Sequence, residues 1–263
     1  MAGPDPKELA ALYSDFKIEW AKNHVSQIEN IIKWLTTDTT KVVRPDQNPE
    51  TGEYFLYVGP ENPLLPRQLP LHMGDAIHNL NGVMDYLWSG LVRSIDPTRA
   101  SKITFPRHET RTNLANALAN PKGHDAAIQA AFPQAERFIL GTIQPYKGGN
   151  GDLIWTLNKL DNINKHRLLI VTTNVIQFRG AWLARSADGS VISHAAGVHI
   201  KTHGPSLKMA FAAPFQIEGD PDPVIDVVFA ENDILEGEPV LETLVVMVEA
   251  VQKVVKAFRE TFL

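Results

Sequence analysis

The chain has 263 residues, 44% of them hydrophobic, and carries 25 Lys and Arg against 30 Asp and Glu, a formal net charge of −5. That length suits one large domain or two small ones, and that hydrophobic share excludes wholesale disorder. The absence of cysteine removes disulfides, thiolate metal sites and cysteine nucleophiles. An acidic balance without a basic stripe argues against duplex nucleic acid as a partner.

The first twenty residues hold Asp5, Glu8, Asp15 and Glu19 and no apolar segment, so no secretory leader is expected. The most apolar stretch, Leu241–Phe258, is interrupted by Glu242, Glu249, Gln252, Lys253 and Lys256, which is too polar for a bilayer span. A soluble, cytoplasmic protein is the expectation.

In chain order, Asp5 and Pro6 open a first helix, Asp5 as cap and Pro6 at the first helical position. Its apolar stripe reads Leu9, Leu12, Phe16, Trp20, Ile28, Ile31 and Leu35. Two strands, 41–44 and 54–58, flank the turn-rich 45–52, and a proline-rich extended connector carries Pro60, Pro63, Pro66 and Pro70. A second helix runs from about Met73 to Ile95, followed by helices at 113–119, at 125–140 with an interruption or kink near Pro133, and from Asp152 to about Lys165. The period then changes to short β-type runs at 168–178, 182–185, 191–194, 198–203, 207–217 and 224–229, read as an antiparallel meander. Pro239 opens a last helix that is acidic early and basic late.

The expected architecture is therefore one α+β domain spanning 1–263. It comprises a helical bundle over about 1–166, an antiparallel sheet over 167–232 and a C-terminal helix at 238–262. In that last helix Leu241, Leu244, Val248, Val251, Val255, Phe258 and Phe262 alternate by three and four, as in a coiled-coil seam. The seam serves either packing within the chain or a homo-oligomer through 241–262, and its width favours the former.

The helix 74–91 points to chemistry. Ile77, Leu80, Val83, Met84, Leu87, Trp88 and Leu91 share an apolar face, while Asp75, His78, Asn79, Gly82, Asp85, Tyr86 and Ser89 collect opposite, with no Lys, Arg or Glu among them. A face without long charged side chains is expected to be covered, at least in part. On the helix 152–167, Trp155, Asn158, Asn162 and His166 form a comparable stripe. If the stripes meet, His78, Asp75, Asp85 and His166 become acid–base candidates. Asn79, Tyr86, Asn158 and Asn162 become ligand contacts, and Lys165 or Arg167 an anion contact. Two accounts remain open: a site for a small-molecule ligand, or a structural network that fixes helix register.

Metal chemistry is not expected. Asp75 and His78 have carboxylate–histidine ligand spacing, but no second such motif occurs. His199 and His203, taken as a strand, would stand roughly 13 Å apart, so they and His194 read as solvent-facing. No phosphate-binding loop is formed by Gly148, Gly149 and Gly151, there is no serine nucleophile elbow, and no cofactor can be named.

The run Gly74-Asp75-Ala76-Ile77-His78-Asn79-Leu80 with Asp85, then Phe105-Pro106, Gln144-Pro145-Tyr146 and Asn162-Ile163-Asn164-Lys165-His166-Arg167, resembles a family of uncharacterised bacterial proteins. That family carries GDxxHNLRxxLDH, FP, QPY and NIDKHR in this order. The resemblance spans most of 74–167 and implies relatives rather than a reaction. Asn81 stands where Arg is usual, Met84 where Leu, Tyr86 where His and Asn164 where Asp, which suggests an ion pair replaced by neutral amides. Asn162-x-x-x-His166 is also similar to HEPN ribonucleases, with Asp161 where their pattern has Arg. The functional expectation is a small-molecule-binding protein, an enzyme if His78 and its carboxylates do proton chemistry. The alternatives are a non-catalytic interaction module and an RNA-cleaving domain.

Overall fold

A computed structural model of the chain describes residues 5–35, 37, 41–60, 68–97, 103–120, 124–166, 171–178, 181–195, 207–219, 221–230 and 234–263. It is α+β, with every described strand pairing antiparallel. By contacts the chain divides into two compact units, each assembled from separated stretches. Residues 1–26, 71–169 and 242–263 form a helical unit, and 27–70 with 170–241 form a unit that holds the described strands.

The helix α1 (Pro6–Leu35), which lies in the helical unit up to Ser26, starts where the sequence places it, with the Asp5 carboxylate accepting from the Lys7 amide at 2.8 Å. Its buried face differs from the expected one. Ala11, Ser14, Ile18, Ala21, Val25, Ile28, Ile32 and Leu35 are buried, in steps of three and four, while Leu12, Phe16 and Trp20 are 48%, 61% and 59% exposed. The reason lies in α2 (Gln68–Ile95). A Cβ built on Gly90 would stand 2.5 Å from the Cβ of Ala10 and 3.0 Å from the Pro6 carbonyl. Helices this close admit only small side chains between them, so the bulky residues of α1 are turned outward.

This contact gives a first prediction. Gly90→Ala gains about 1 kcal/mol of helix propensity but overpacks a contact that includes rigid backbone, at about 1–3 kcal/mol. We expect a net loss of up to about 2 kcal/mol in urea denaturation, partly recovered by adding Ala10→Gly. A midpoint for Gly90→Ala raised by the full propensity gain of about 1 kcal/mol would show that the helices can separate at no cost.

Helix α2 begins five residues before the expected Met73, because Pro70 fits a first helical turn, where its missing N–H is no loss. Its large apolar face, Ile77 to Leu91, is buried as expected. After α3 (Arg111–Leu118), the helix expected at 125–140, interrupted or kinked near Pro133, is interrupted there and runs as three pieces. They are α4 (His124–Ala131), the short α5 (Gln134–Arg137) and a π-helical turn, Phe138–Ile143. Pro133 cannot donate to the helical ladder, so the chain breaks there rather than bending. Two helices complete the unit, α6 (Asp152–His166) and α7 (Val240–Phe262). None of the described helices is long and apolar enough to cross a membrane.

The seam of α7 is used inside the chain. Leu244, Val248, Val251, Val255, Phe258 and Phe262 are buried. Phe138 meets Phe258 and Phe262 edge-on, with ring centres 6.3 and 5.1 Å apart. Arg259 pairs with Asp15 at 2.5 Å, and Lys7 donates to the Phe262 carbonyl at 3.1 Å, tying α7 to α1. Of the large residues of 241–262, Val245 and Val246 lie exposed beside the seam.

The strand unit is not a simple meander. The strands are β1 (Lys41–Gln47), β2 (Tyr54–Pro60), β3 (Val171–Phe178), β4 (Trp182–Ser186), β5 (Val191–Ala195), β6 (Leu207–Phe211), β7 (Phe215–Gly219) and β8 (Pro223–Phe229). They form sheets in the orders β1-β2-β6, β3-β8 and β5-β4-β7. The run 207–217 is thus two strands in different sheets. Pro214, which lacks a ladder donor, falls at the break. Leu56 and Val58 of β2 pack on Trp182 and Ala184 of β4 and on Phe215 of β7, so two of the sheets share one core. The strand expected at 198–203, with His199 and His203, lies outside the described residues.

Candidate acid–base site

The polar residues of the helical unit converge on a carboxylate that the sequence reading did not select. Asp161, on α6, has a side chain only 1% exposed. Its Oδ1 lies 3.1 Å from Nδ1 of His78, and its Oδ2 accepts from Asn81 Nδ2 at 2.6 Å and from Lys165 Nζ at 2.6 Å. Asn81 in turn accepts from Arg107 through its amide oxygen. The guanidinium of Arg107, 3% exposed, pairs with Asp85 Oδ1 at 2.5 Å, and the Phe105 amide donates to the same oxygen at 2.9 Å. One continuous network thus joins His78, Asp161, Lys165, Asn81, Arg107 and Asp85.

Local structure explains why separated motifs meet here. Gln144 ends the π-helical turn in the left-handed region, at φ 55°. The chain then folds so tightly that a Cβ on Gly149 would lie 2.4 Å from the Gln144 carbonyl. Gly151 donates to that carbonyl at 3.2 Å, and α6 begins at Asp152. The same loop receives His108 N–H at the Pro145 carbonyl, 3.3 Å, and donates from Lys147 to the Glu109 carbonyl, 3.2 Å. These bonds lie just after Arg107 and tie its segment to the loop, while the Phe105 amide ties it to Asp85 of α2. The glycine-rich loop is a corner that aims α6, and the Phe105-Pro106 and Gln144-Pro145-Tyr146 segments fix the guanidinium.

Not every expected residue joins the network. The expected carboxylate partners of His78 were Asp75 and Asp85. The structure gives it Asp161, while Asp85 serves Arg107 and Asp75 lies 4.0 Å from His24. The α6 face that meets α2 is also one residue out of step with the expected stripe. Asn162 and His166 are exposed and Asn158 is partly buried, while Asp161 reaches His78 and the Asn164 side chain lies against Gly74. One residue is a 100° turn of the helix, enough to exchange a solvent face for a contact face. Asn81 binds Asp161 and Arg107, and the Asn164 side chain does not take part in that pairing but lies against Gly74. Arg167 lies outside the described residues. Asn79 accepts from Lys17 Nζ at 3.1 Å, and Lys17 also sits over the Tyr86 ring, 5.2 Å from its centre. The α2 face is partly covered in this way.

Sequence reasoning missed Asp161, Asn81, Arg107 and Lys17 as partners, and it missed a histidine pair. Nδ1 of His24 and Nδ1 of His72 stand 3.0 Å apart, with the Trp20 ring edge-on to His24. A usable signal existed for Asp161, which follows Ile154 and Leu157 at helical spacing on the buried face of α6. An acid on an apolar stripe must have partners.

The electrostatics keep Asp161 ionised. Burial alone would raise its pKa, but hydrogen bonds from Lys165 and His78, with their charges, hold it below the usual carboxylate value. Burial lowers the Lys17 amine, opposed by the charge of Asp161. Burial likewise lowers Arg107, opposed by Asp85 and Asp161. Among the described residues no group of three or more His, Asp and Glu is placed to hold a metal ion. A comparison with family models, curated proteins and solved structures finds no match.

Proposed function

We propose that this protein binds a small molecule beside α2 and α6 and uses His78 as its acid–base group. The observation that carries the reading is the pairing of a 58% exposed imidazole with a 1% exposed carboxylate at 3.1 Å. An ionised Asp161 accepts from Nδ1–H, which fixes the ring and its tautomer and leaves Nε2 as the available base. A proton removed from a bound hydroxyl or amine would rest on Nε2, and the imidazolium formed would be stabilised by Asp161. Lys165 shares that carboxylate and limits its negative charge. Asn79 and Lys17 supply polar contacts on the same face.

The test is a screen of small metabolites by thermal shift and NMR against the wild type and His78→Gln. A ligand of this site should lose about tenfold or more in affinity in the variant, the cost of one hydrogen bond to a charged group. The melting temperature should move by no more than about 3 °C, because the replaced ring is largely exposed. A drop of many degrees with ligand affinity intact would assign the network to architecture and overturn the reading.

One observation favours the second reading, an interaction module. Leu12, Tyr13, Phe16 and Trp20 of α1 are all about half exposed or more, a larger apolar surface than one helix normally leaves in water.

A further inference from the structure

Two turns along α2 from His78 lies a cavity of about 520 Å³, distinct from the dyad. One wall is α1, with Leu9, Ala10 and Tyr13, and the other is α2, with Asp85, Tyr86, Ser89 and Arg93; Ile103 closes part of the apolar lining. The size falls within the range of small-molecule sites. From Asp85 to Arg93 the helix advances roughly 12 Å, two turns at 1.5 Å per residue.

The charges at the two ends differ in kind. Asp85 is already neutralised, since its Oδ1 takes both Arg107 and the Phe105 amide, while its Oδ2 has no hydrogen bond among the described residues. Arg93 is exposed and has no carboxylate partner among the described residues. The lining therefore presents one cation without a carboxylate partner and one vacant acceptor, with Lys17 outside the lining, held over the Tyr86 ring and bonded to Asn79. The same lining carries two phenol rings from opposite helices, Tyr13 and Tyr86, 54% and 44% exposed. Large rings left in water on both walls of a cleft are suited to a third aromatic ring between them.

We propose that this cavity binds a small aromatic carboxylate bearing a hydroxyl at its far end. The carboxylate would pair with the Arg93 guanidinium, whose fork geometry suits it. The ring would lie among Tyr13, Tyr86, Leu9 and Ile103, and the hydroxyl would donate to Asp85 Oδ2. The arrangement recognises a planar acid about 10 Å long, matched to two turns of helix. It also requires no movement of the Asp161 network, since Asp85 keeps both bonds of its other oxygen.

The probe is 4-hydroxycinnamate, with the uncharged 4-hydroxycinnamamide as control, titrated into the ¹⁵N-labelled full chain. The acid should bind saturably, with shifts centred on Ala10, Ser89 and Gly90, and the amide should bind about tenfold more weakly. Arg93→Gln, a substitution at an exposed position, should bring the acid down to the affinity of the amide. His78→Gln should leave both affinities unchanged, so this inference and the proposed acid–base role can fail separately. No saturable shifts at millimolar acid, shifts centred elsewhere, or an acid preference that survives in Arg93→Gln would each overturn the proposal.

Discussion

Val251→Glu is expected to unfold the helical unit. Val251 is fully buried at the centre of the α7 seam, between Val248 and Val255, which are buried too. The change removes an apolar side chain, worth about 1.5–3 kcal/mol of burial, and puts a carboxyl group where no donor was provided. An uncompensated buried polar group costs about 1–3 kcal/mol more, and a charge costs further unless it protonates. The sum, about 4 kcal/mol or above, is a large part of the roughly 5–15 kcal/mol that holds a domain together. Loss of the cooperative thermal transition in circular dichroism, or its displacement by well over 10 °C, is the expected result. A folded, soluble monomer obtained from a dimeric wild type would show instead that the seam belongs to an interface.

The second large effect belongs to Asp161. A buried carboxylate is costly to desolvate, and here His78, Lys165 and Asn81 bond to it directly while Arg107 reaches it through Asn81. Asp161→Ala removes the common acceptor. His78 and Lys165 are about half exposed and can turn to water. Asn81 and Arg107 cannot, since the first is 3% exposed and the side chain of the second is equally buried. One buried amide then lacks a partner and one buried guanidinium loses part of its compensating charge. We expect a loss of about 3 kcal/mol in chemical denaturation at neutral pH. The pH dependence carries a matching signature. The folded pKa of Asp161 lies below its unfolded value, so its contribution is full above the ordinary carboxylate range and is lost as pH falls through the folded value. The gap between wild type and Asp161→Ala should therefore be constant through neutrality and narrow on the acid side. A gap that widened as pH fell would mean that the carboxylate is stabilised in its protonated form.

How much of this was legible in the sequence depended on bulk and partners. The apolar face of α2 is made of large residues and was readable from spacing alone. The buried face of α1 has equally regular spacing, but Ala11, Ser14 and Ala21 contribute little to any hydrophobic pattern, and Leu12, Phe16 and Trp20 outweigh them. Which face is buried was decided by Gly90 of another helix, which local reading does not see. The candidate site was legible in the same partial way. The helix patterns placed His78 and Asp85 within one network, because short polar residues on a helix without long charged ones need partners, whereas Lys165 was expected only as an anion contact. The hub, Asp161, looked like an ordinary acid beside an Asn-x-x-x-His pattern. Arg107 gave no signal at all, since its role comes from two loop contacts and not from any period.

The helical unit draws on the beginning, the middle and the very end of the chain, and that sets an order of events during synthesis. When residue 169 leaves the ribosome, α2 and α6 can already meet, but the phenylalanines of α7 that cover Phe138 have yet to be made. At about 5–20 residues per second, the stretch up to α7 takes on the order of 10 s to translate. Throughout that interval Phe138 and the inner face of α1 have no complete cover, so the nascent chain is a natural client for a chaperone that holds apolar segments. A stop codon placed anywhere before 240 would leave it one permanently.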